Sequence, residues 1–300
     1  LSMSSSVQAI LVPAFFSNVR PHLCFESIGL FYTWGHSSPL PQHHLAIASM
    51  TERPCWSRVF IAFFRSMMPI IQFLKTYVVP NNPKRWWYYF EAIDSTPNDP
   101  APRGRLCLLG DSDVHYWGAH LPTPEAVVVG VVGAEMPDIA GYAARFVEKY
   151  EPKAVILTGG ANDFMESRAP ADILEHMKAA VAAIPRTTRI IYFGTKPELV
   201  SARFWAGYKE YDQLVRDFVE TTPNVVYVNN EDDMQADSLY RWDGLHFNEH
   251  GYELWNCKVK ALLRPGLPLS EARRVGMDMS KVCPTAAAAV ELGPRAGLLH

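Results

Sequence analysis

A chain of 300 residues, 48% hydrophobic and 20% charged, is a globular protein able to bury one substantial core. Its 28 Lys and Arg against 31 Asp and Glu give a formal charge of −3 with no basic run, so no nucleic-acid partner is expected. Five scattered cysteines without a CxxC pair point to neither a disulfide framework nor a thiolate zinc site, and Cys107 and Cys257 read as small core hydrophobes.

Residues 1–49 read as an N-terminal extension of unknown role, because the chain begins at Leu1 and Met50 opens a more ordinary sequence. Residues 50–100 read as a helical lead-in. Within it, Phe60, Phe63, Phe64, Met67, Ile70, Ile71, Phe73 and Leu74 recur at helical spacing, while Arg65 and Lys75 interrupt any membrane span. Residues 59–80 are therefore expected to form an amphipathic helix, packed on the domain or in peripheral contact with a membrane surface. The aromatic run from Arg85 to Phe90 suits a helix over a sheet edge, the lining of an acyl pocket or a place at a membrane interface.

Residues 101–268 alternate short apolar runs with helical periodicity, the pattern of a parallel sheet covered by helices. Strands are expected at residues 105–109, 126–132, 154–158, 189–193 and 224–228, each hydrophobic on both faces. Helices carry Ile139 to Tyr150, Ile173 to Ile184, Tyr208 to Phe218 and, at the end, residues 249–263. Residues 269–300 read as a loosely ordered C-terminal tail.

Ligands of such sheets bind outside the carboxyl ends of the strands. Polar candidates fall there: Ser112 after the first strand, Gly133 after the second, Asn162 after the third, and Asp243 with His246 before the final helix. A serine needs a base to become a nucleophile, histidine titrates in the right range, and a carboxylate three residues away can fix its tautomer. The amides of Ser112 and Gly133 and the side chain of Asn162 are candidates for an oxyanion site. Gly130 competes with Gly133 for that place.

Gly110-Asp111-Ser112, then Gly133, then Gly160-Ala161-Asn162-Asp163, then Asp243-Gly244-Leu245-His246 resemble, in order, the four signature blocks of the SGNH (GDSL) hydrolases. Asp113 departs from the small or apolar residue usual after the serine. The resemblance implies a flavodoxin-like α/β three-layer sandwich of about five parallel strands with helices on both faces. It implies no cofactor, and hydrolysis of carboxylic esters or thioesters with Ser112 as nucleophile. The substrate expected is a small ester, an acyl lipid or acylated sugar. An acyltransferase with the same triad, or a noncatalytic binding protein keeping the fold, are the alternatives.

Trp117, Phe164 and Trp205 are candidate substrate-binding residues; for Trp117 the competing reading is core packing. Asp111 is expected to hold two amides, and Asp163 to cap a helix. His246-Phe247-Asn248-Glu249-His250 also fits H-x-x-E-H, a zinc pattern that needs both histidines within a helix. Gly244, Gly251 and an Asn248 N-cap instead put His246 in a loop, so no metal is expected. A soluble, cytoplasmic chain, with membrane-surface association as the variant, is the expectation for compartment.

Overall fold

A computed structural model of the chain describes residues 55–73, 87–95, 105–231, 236–278 and 283. The expectations for residues 1–49, 74–80 and the end of the tail lie outside these residues.

Five strands, β1 (Leu106–Gly110), β2 (Val127–Gly130), β3 (Ala154–Thr158), β4 (Arg189–Phe193) and β5 (Val225–Val228), form one parallel sheet in the order β2-β1-β3-β4-β5. Their near-continuous hydrophobicity has the cause anticipated: β1, β3 and β5 are buried along their whole length. Each Leu, Ile or Val taken out of water there contributes roughly 1.5–3 kcal/mol.

The order reverses at β1, and right-handed crossovers then assign the helices to two faces. One face carries α4 (Met136–Tyr150), α6 (Pro170–Ala182) and α7 (Trp205–Thr221), packed side by side. The other carries α3 (Ser112–Trp117) and α8 (Glu249–Leu262), joined where Trp117 and Trp255 meet at 4.8 Å between ring centroids. The short α5 (Ala161–Met165) follows β3. This is the α/β three-layer architecture expected, in the doubly wound order of flavodoxin-like sheets.

Two helices precede the sheet, α1 (Cys55–Phe73) and α2 (Trp87–Ser95). The inner side of α1 presses on the loops at the strand ends: Ser57 Oγ donates to Trp242 O at 2.7 Å, and Arg65 Nε donates to Leu199 O. Its outer side leaves Trp56, Val59, Phe63, Ile70 and Phe73 at least half exposed. Of the aromatic run, Arg85 and Trp86 lie outside the described residues, Tyr88 and Tyr89 are exposed, and Phe90 is buried, stacked on Tyr142 of α4 at 5.0 Å.

Two expectations for the C-terminal region need correction. Residues 269–277, read as the start of a tail, form α9 (Leu269–Met277) against β5, where Asn229 N donates to Gly276 O at 3.0 Å and Arg273 binds the carbonyls of Val219, Thr222 and Val225. Cys257, read as a core hydrophobe, is disulfide-bonded to Cys283, 26 residues on. Spacing alone gave no pairing, since the bond joins α8 to a segment without apolar pattern. Cys107 is buried and free as expected, its thiol pushed up to about 12 by burial.

A loop of this length confers about 3 kcal/mol by restricting the unfolded chain. Cys283→Ser is accordingly expected to lower the thermal midpoint by several degrees under non-reducing conditions. Dithiothreitol should bring the wild type to the same value.

Candidate active site

At the carboxyl end of β1 the chain turns directly into α3. Asp111 caps that helix, its Oδ1 accepting the Asp113 N–H at 3.0 Å, one amide where two were expected. Ser112 is thus the first residue of α3, half-buried, and its hydroxyl has no hydrogen-bond partner among the described residues. The turn is tight enough that β2 must end in glycine: a Cβ on Gly130 would stand 2.2 Å from the His115 amide nitrogen.

The closing loop is organised by Asp243. Its Oδ1 accepts the N–H groups of Leu245 and His246 at 2.9 and 3.0 Å, and its Oδ2 meets His246 Nδ1 at 2.8 Å. Gly244 makes this turn at a positive φ of 66°, which a side chain would strain. Burial opposes ionisation of Asp243, but the His246 contact and the two amides hold its carboxyl below the usual range. A carboxylate so placed selects the tautomer with the proton on Nδ1 and leaves Nε2 as acceptor.

Two contacts carry the imidazole to the nucleophile's side of the sheet. Tyr116 lies one helical turn beyond Ser112, on the same face of α3, and its ring centroid is 4.6 Å from that of His246. Tyr252 of α8 donates to Asp113 O at 3.0 Å. As anticipated, Asn248 caps α8, accepting from Gly251 N at 3.2 Å, so His246 precedes the helix. His250 meets Glu253 at the surface instead, and the two histidines have separate partners. Among the described residues no cluster of three His, Cys, Asp or Glu side chains suits a metal ion.

The loop after β2 comes alongside. Val131 N donates to Gly110 O at 3.1 Å, Gly133 turns at φ 79°, and Ala134 O accepts from Asn162 Nδ2 at 3.0 Å. A primary amide has two N–H donors, so the second on Asn162 is uncommitted. Behind these residues lies a buried network: Asp163 accepts from Met136 N at 2.9 Å, and Arg168 bridges Asp163 and Glu135 at 2.8 and 2.7 Å. Asp163 therefore caps a helix, but α4, not its own α5. Burial pushes its carboxyl up to about 7 against these bonds.

A second buried cluster was not foreseen. Lys196, only 3% exposed, pairs with Asp113 at 3.0 Å and Glu198 at 2.7 Å, and Glu198 also accepts from Ser201 Oγ at 2.6 Å. Burial works against the Lys196 charge, yet the two carboxylates outweigh it and hold the ammonium well above its ordinary range. The charged residue after the serine is thereby explained: Asp113 is buried because Lys196 meets it. The sequence signal was an acid in the Gly-Asp-Ser turn and a lysine following an apolar strand, residues too far apart to pair on paper.

Of the three aromatic candidates, Trp117 does not line the site. It has no exposed surface, and its Nε1 donates to Asn256 at 2.8 Å inside the core, so the competing reading holds. Phe164 is nearly buried, edge-on to Tyr208 at 4.9 Å. Trp205 is half-buried with its Nε1 donating to Glu198 O.

Fold and strand-end loops together define a doubly wound α/β domain with a serine, a histidine–carboxylate pair and an amide-lined turn at one end of its sheet. Residues 109–254 match the GDSL-like Lipase/Acylhydrolase family. The match supports an activity of the ester hydrolase or acyltransferase type.

Solved structures similar to the chain include a member of the lipolytic protein G-D-S-L family from Veillonella parvula, 14% identical over 55% of this chain and 100% of that one, TM-score 0.46. Another is the C-terminal catalytic domain of peptidoglycan O-acetyltransferase A from Streptococcus pneumoniae, 16% identical over 53% and 92%, TM-score 0.45. A family 3 carbohydrate esterase from Clostridium thermocellum is 17% identical over 51% and 90%, TM-score 0.39. No curated protein matches the chain.

Proposed function

We propose that the chain is a cofactor-free serine esterase working through an acyl-enzyme intermediate. The observation that carries this reading is the Asp243–His246 pair at 2.8 Å, whose imidazole lies 4.6 Å from the ring of Tyr116, one helical turn beyond Ser112 on α3.

In this mechanism Ser112 Oγ attacks the ester carbonyl while His246 Nε2 takes its proton. Asp243 keeps the imidazole in the required tautomer and stabilises the imidazolium that forms. The oxyanion is met by the backbone N–H groups of Ser112 and Gly133 and by the second N–H of Asn162. His246 then returns the proton to the departing alcohol, and water, activated by the same imidazole, releases the acid. The test is hydrolysis of a short p-nitrophenyl ester by the intact chain, with products analysed in the presence and absence of an alcohol acceptor. Free acid as the main product supports the esterase; acyl transfer to the acceptor at its expense makes the chain a transferase.

The substrate is a small ester, an acyl lipid or acylated sugar, placed beside Phe164 and Trp205. The exposed apolar side of α1 supports peripheral contact with a lipid surface. Among the described residues no helix is long and apolar enough to cross a membrane. Co-sedimentation with phospholipid vesicles is expected, and Trp56→Ser with Phe63→Ser should abolish it; a chain that stays in the supernatant contradicts the contact. The Cys257–Cys283 disulfide favours an oxidising compartment over the cytoplasm first expected.

A further inference from the structure

The loop that brings His246 to the site also carries a cation without a counter-charge. Arg241 is half-buried, its guanidinium carbon 4.5 Å above the ring centroid of Tyr116, and the same ring lies 4.6 Å from that of His246. Among the described residues the guanidinium makes no hydrogen bond and no ion pair. Of the other half-buried arginines, Arg168, Arg189 and Arg273 hold carboxylates or carbonyls, and Arg105 and Arg216 leave Nε unpartnered; Arg241 alone among them lies on the loop of His246.

The acids nearest the site are committed elsewhere. Asp243 spends both oxygens on Leu245 and His246, and Asp113 faces Lys196. The backbone of Arg241 is pinned, its N–H donating to His246 O at 2.8 Å and its carbonyl accepting from Gly244 N at 3.0 Å. Stacking on Tyr116 fixes the rest of the side chain. The result is a positioned fork of N–H donors, one ring away from the imidazole, on the face of α3 that starts with Ser112. A planar guanidinium held in this way is suited to bidentate binding of an anionic oxygen pair.

We propose that Arg241, held on Tyr116, recognises a carboxylate carried by the ester substrate, so that the preferred substrates are negatively charged esters. This rests on the esterase reading above and narrows it to a substrate class. Tyr116 is a positioning residue here, acting through the guanidinium it supports.

The test compares two matched pairs of chromogenic esters, each kcat/KM normalised to the rate with hydroxide. One pair differs by a terminal carboxylate on the acyl chain, p-nitrophenyl hemiglutarate against p-nitrophenyl pentanoate. The other differs by a carboxylate on the phenol, 3-carboxy-4-nitrophenyl acetate against p-nitrophenyl acetate. In at least one pair the charged ester is expected to be favoured about tenfold or more, the worth of a charge-assisted contact. That preference should shrink with added salt.

Arg241→Met should bring the ratio to about one, and Arg241→Lys should keep part of it. Because the ratio is taken within each variant, a general loss of activity cancels. If the methionine variant is inactive, the lysine variant is read alone, and loss of the preference there overturns the proposal. No preference in either pair, or a preference that survives in Arg241→Met, also overturns it. Either result, with neutral esters still cleaved by the wild type, leaves the esterase reading standing.

Discussion

Ser112→Ala is expected to lower kcat for p-nitrophenyl acetate by about 10⁴-fold or more while leaving the thermal midpoint within about a degree of wild type. The first half follows from the role of the hydroxyl as nucleophile. The second follows from its surroundings: Ser112 Oγ has no hydrogen-bond partner among the described residues, so its removal strands no donor or acceptor. His246→Ala should cost a similar factor, and the double variant little more than either, since the pair acts as one unit. Asn162→Ala should cost roughly 10²–10³, as for one oxyanion donor. Some loss of stability accompanies it, because Ala134 O loses its donor. Full activity in Ser112→Ala would remove the assignment.

Lys196→Met is expected to produce the largest structural effect. Removing one partner of a buried ion pair typically costs about 3–5 kcal/mol, because the remaining charge is left in a medium that cannot solvate it. Here Asp113 and Glu198 would both lose their ammonium, with Asp111 beside them, all within the segment that sets Ser112. The expected outcome is a much lower denaturation midpoint in urea with an unchanged slope, and loss of esterase activity with it. A midpoint near wild type would show that the ammonium does not hold this cluster together.

The same cluster sets a pH dependence with a definite sign. Burial, reinforced by the Asp113 charge, raises the Asp111 carboxyl to about 8. The folded chain thus binds a proton that the unfolded chain has already released, so this contribution is complete below about pH 4 and lost as pH rises towards 8. Asp163, raised to about 7, acts in the same direction. Asp243 acts oppositely, since its lowered carboxyl stabilises above the unfolded range and that stability is lost on acidification. The wild-type midpoint should therefore decline between about pH 5 and 8, and Asp111→Asn should flatten that decline.

What could be read beforehand divides along range in the chain. β3 and β4 begin and end where their apolar runs do, and the other strands differ by a few residues, because burial on both faces writes itself into consecutive positions. The Asn248 cap was equally local, three residues from the amide it accepts. The candidate site was visible as blocks at strand ends, since a doubly wound sheet gathers those ends regardless of the distance between them.

Pairings between distant residues were not visible. Lys196 meets Asp113 across 83 positions, Cys257 meets Cys283 across 26, and Arg241 stacks on Tyr116 from another loop. Trp117 was misjudged for a related reason: α3 is six residues long, too short to show which face is buried, and Trp255 and Asn256 of α8 decide it.

The central claim is an acyl group carried on Ser112. The intact chain, mixed with p-nitrophenyl acetate and quenched in acid within the first turnovers, is digested and its peptides weighed. The account predicts one acetyl group on the peptide containing Gly110-Asp111-Ser112, accumulating more strongly where deacylation is slowed at low pH and absent from Ser112→Ala. Active enzyme with the acetyl group on another residue, or turnover with Ser112 never acylated, would contradict it.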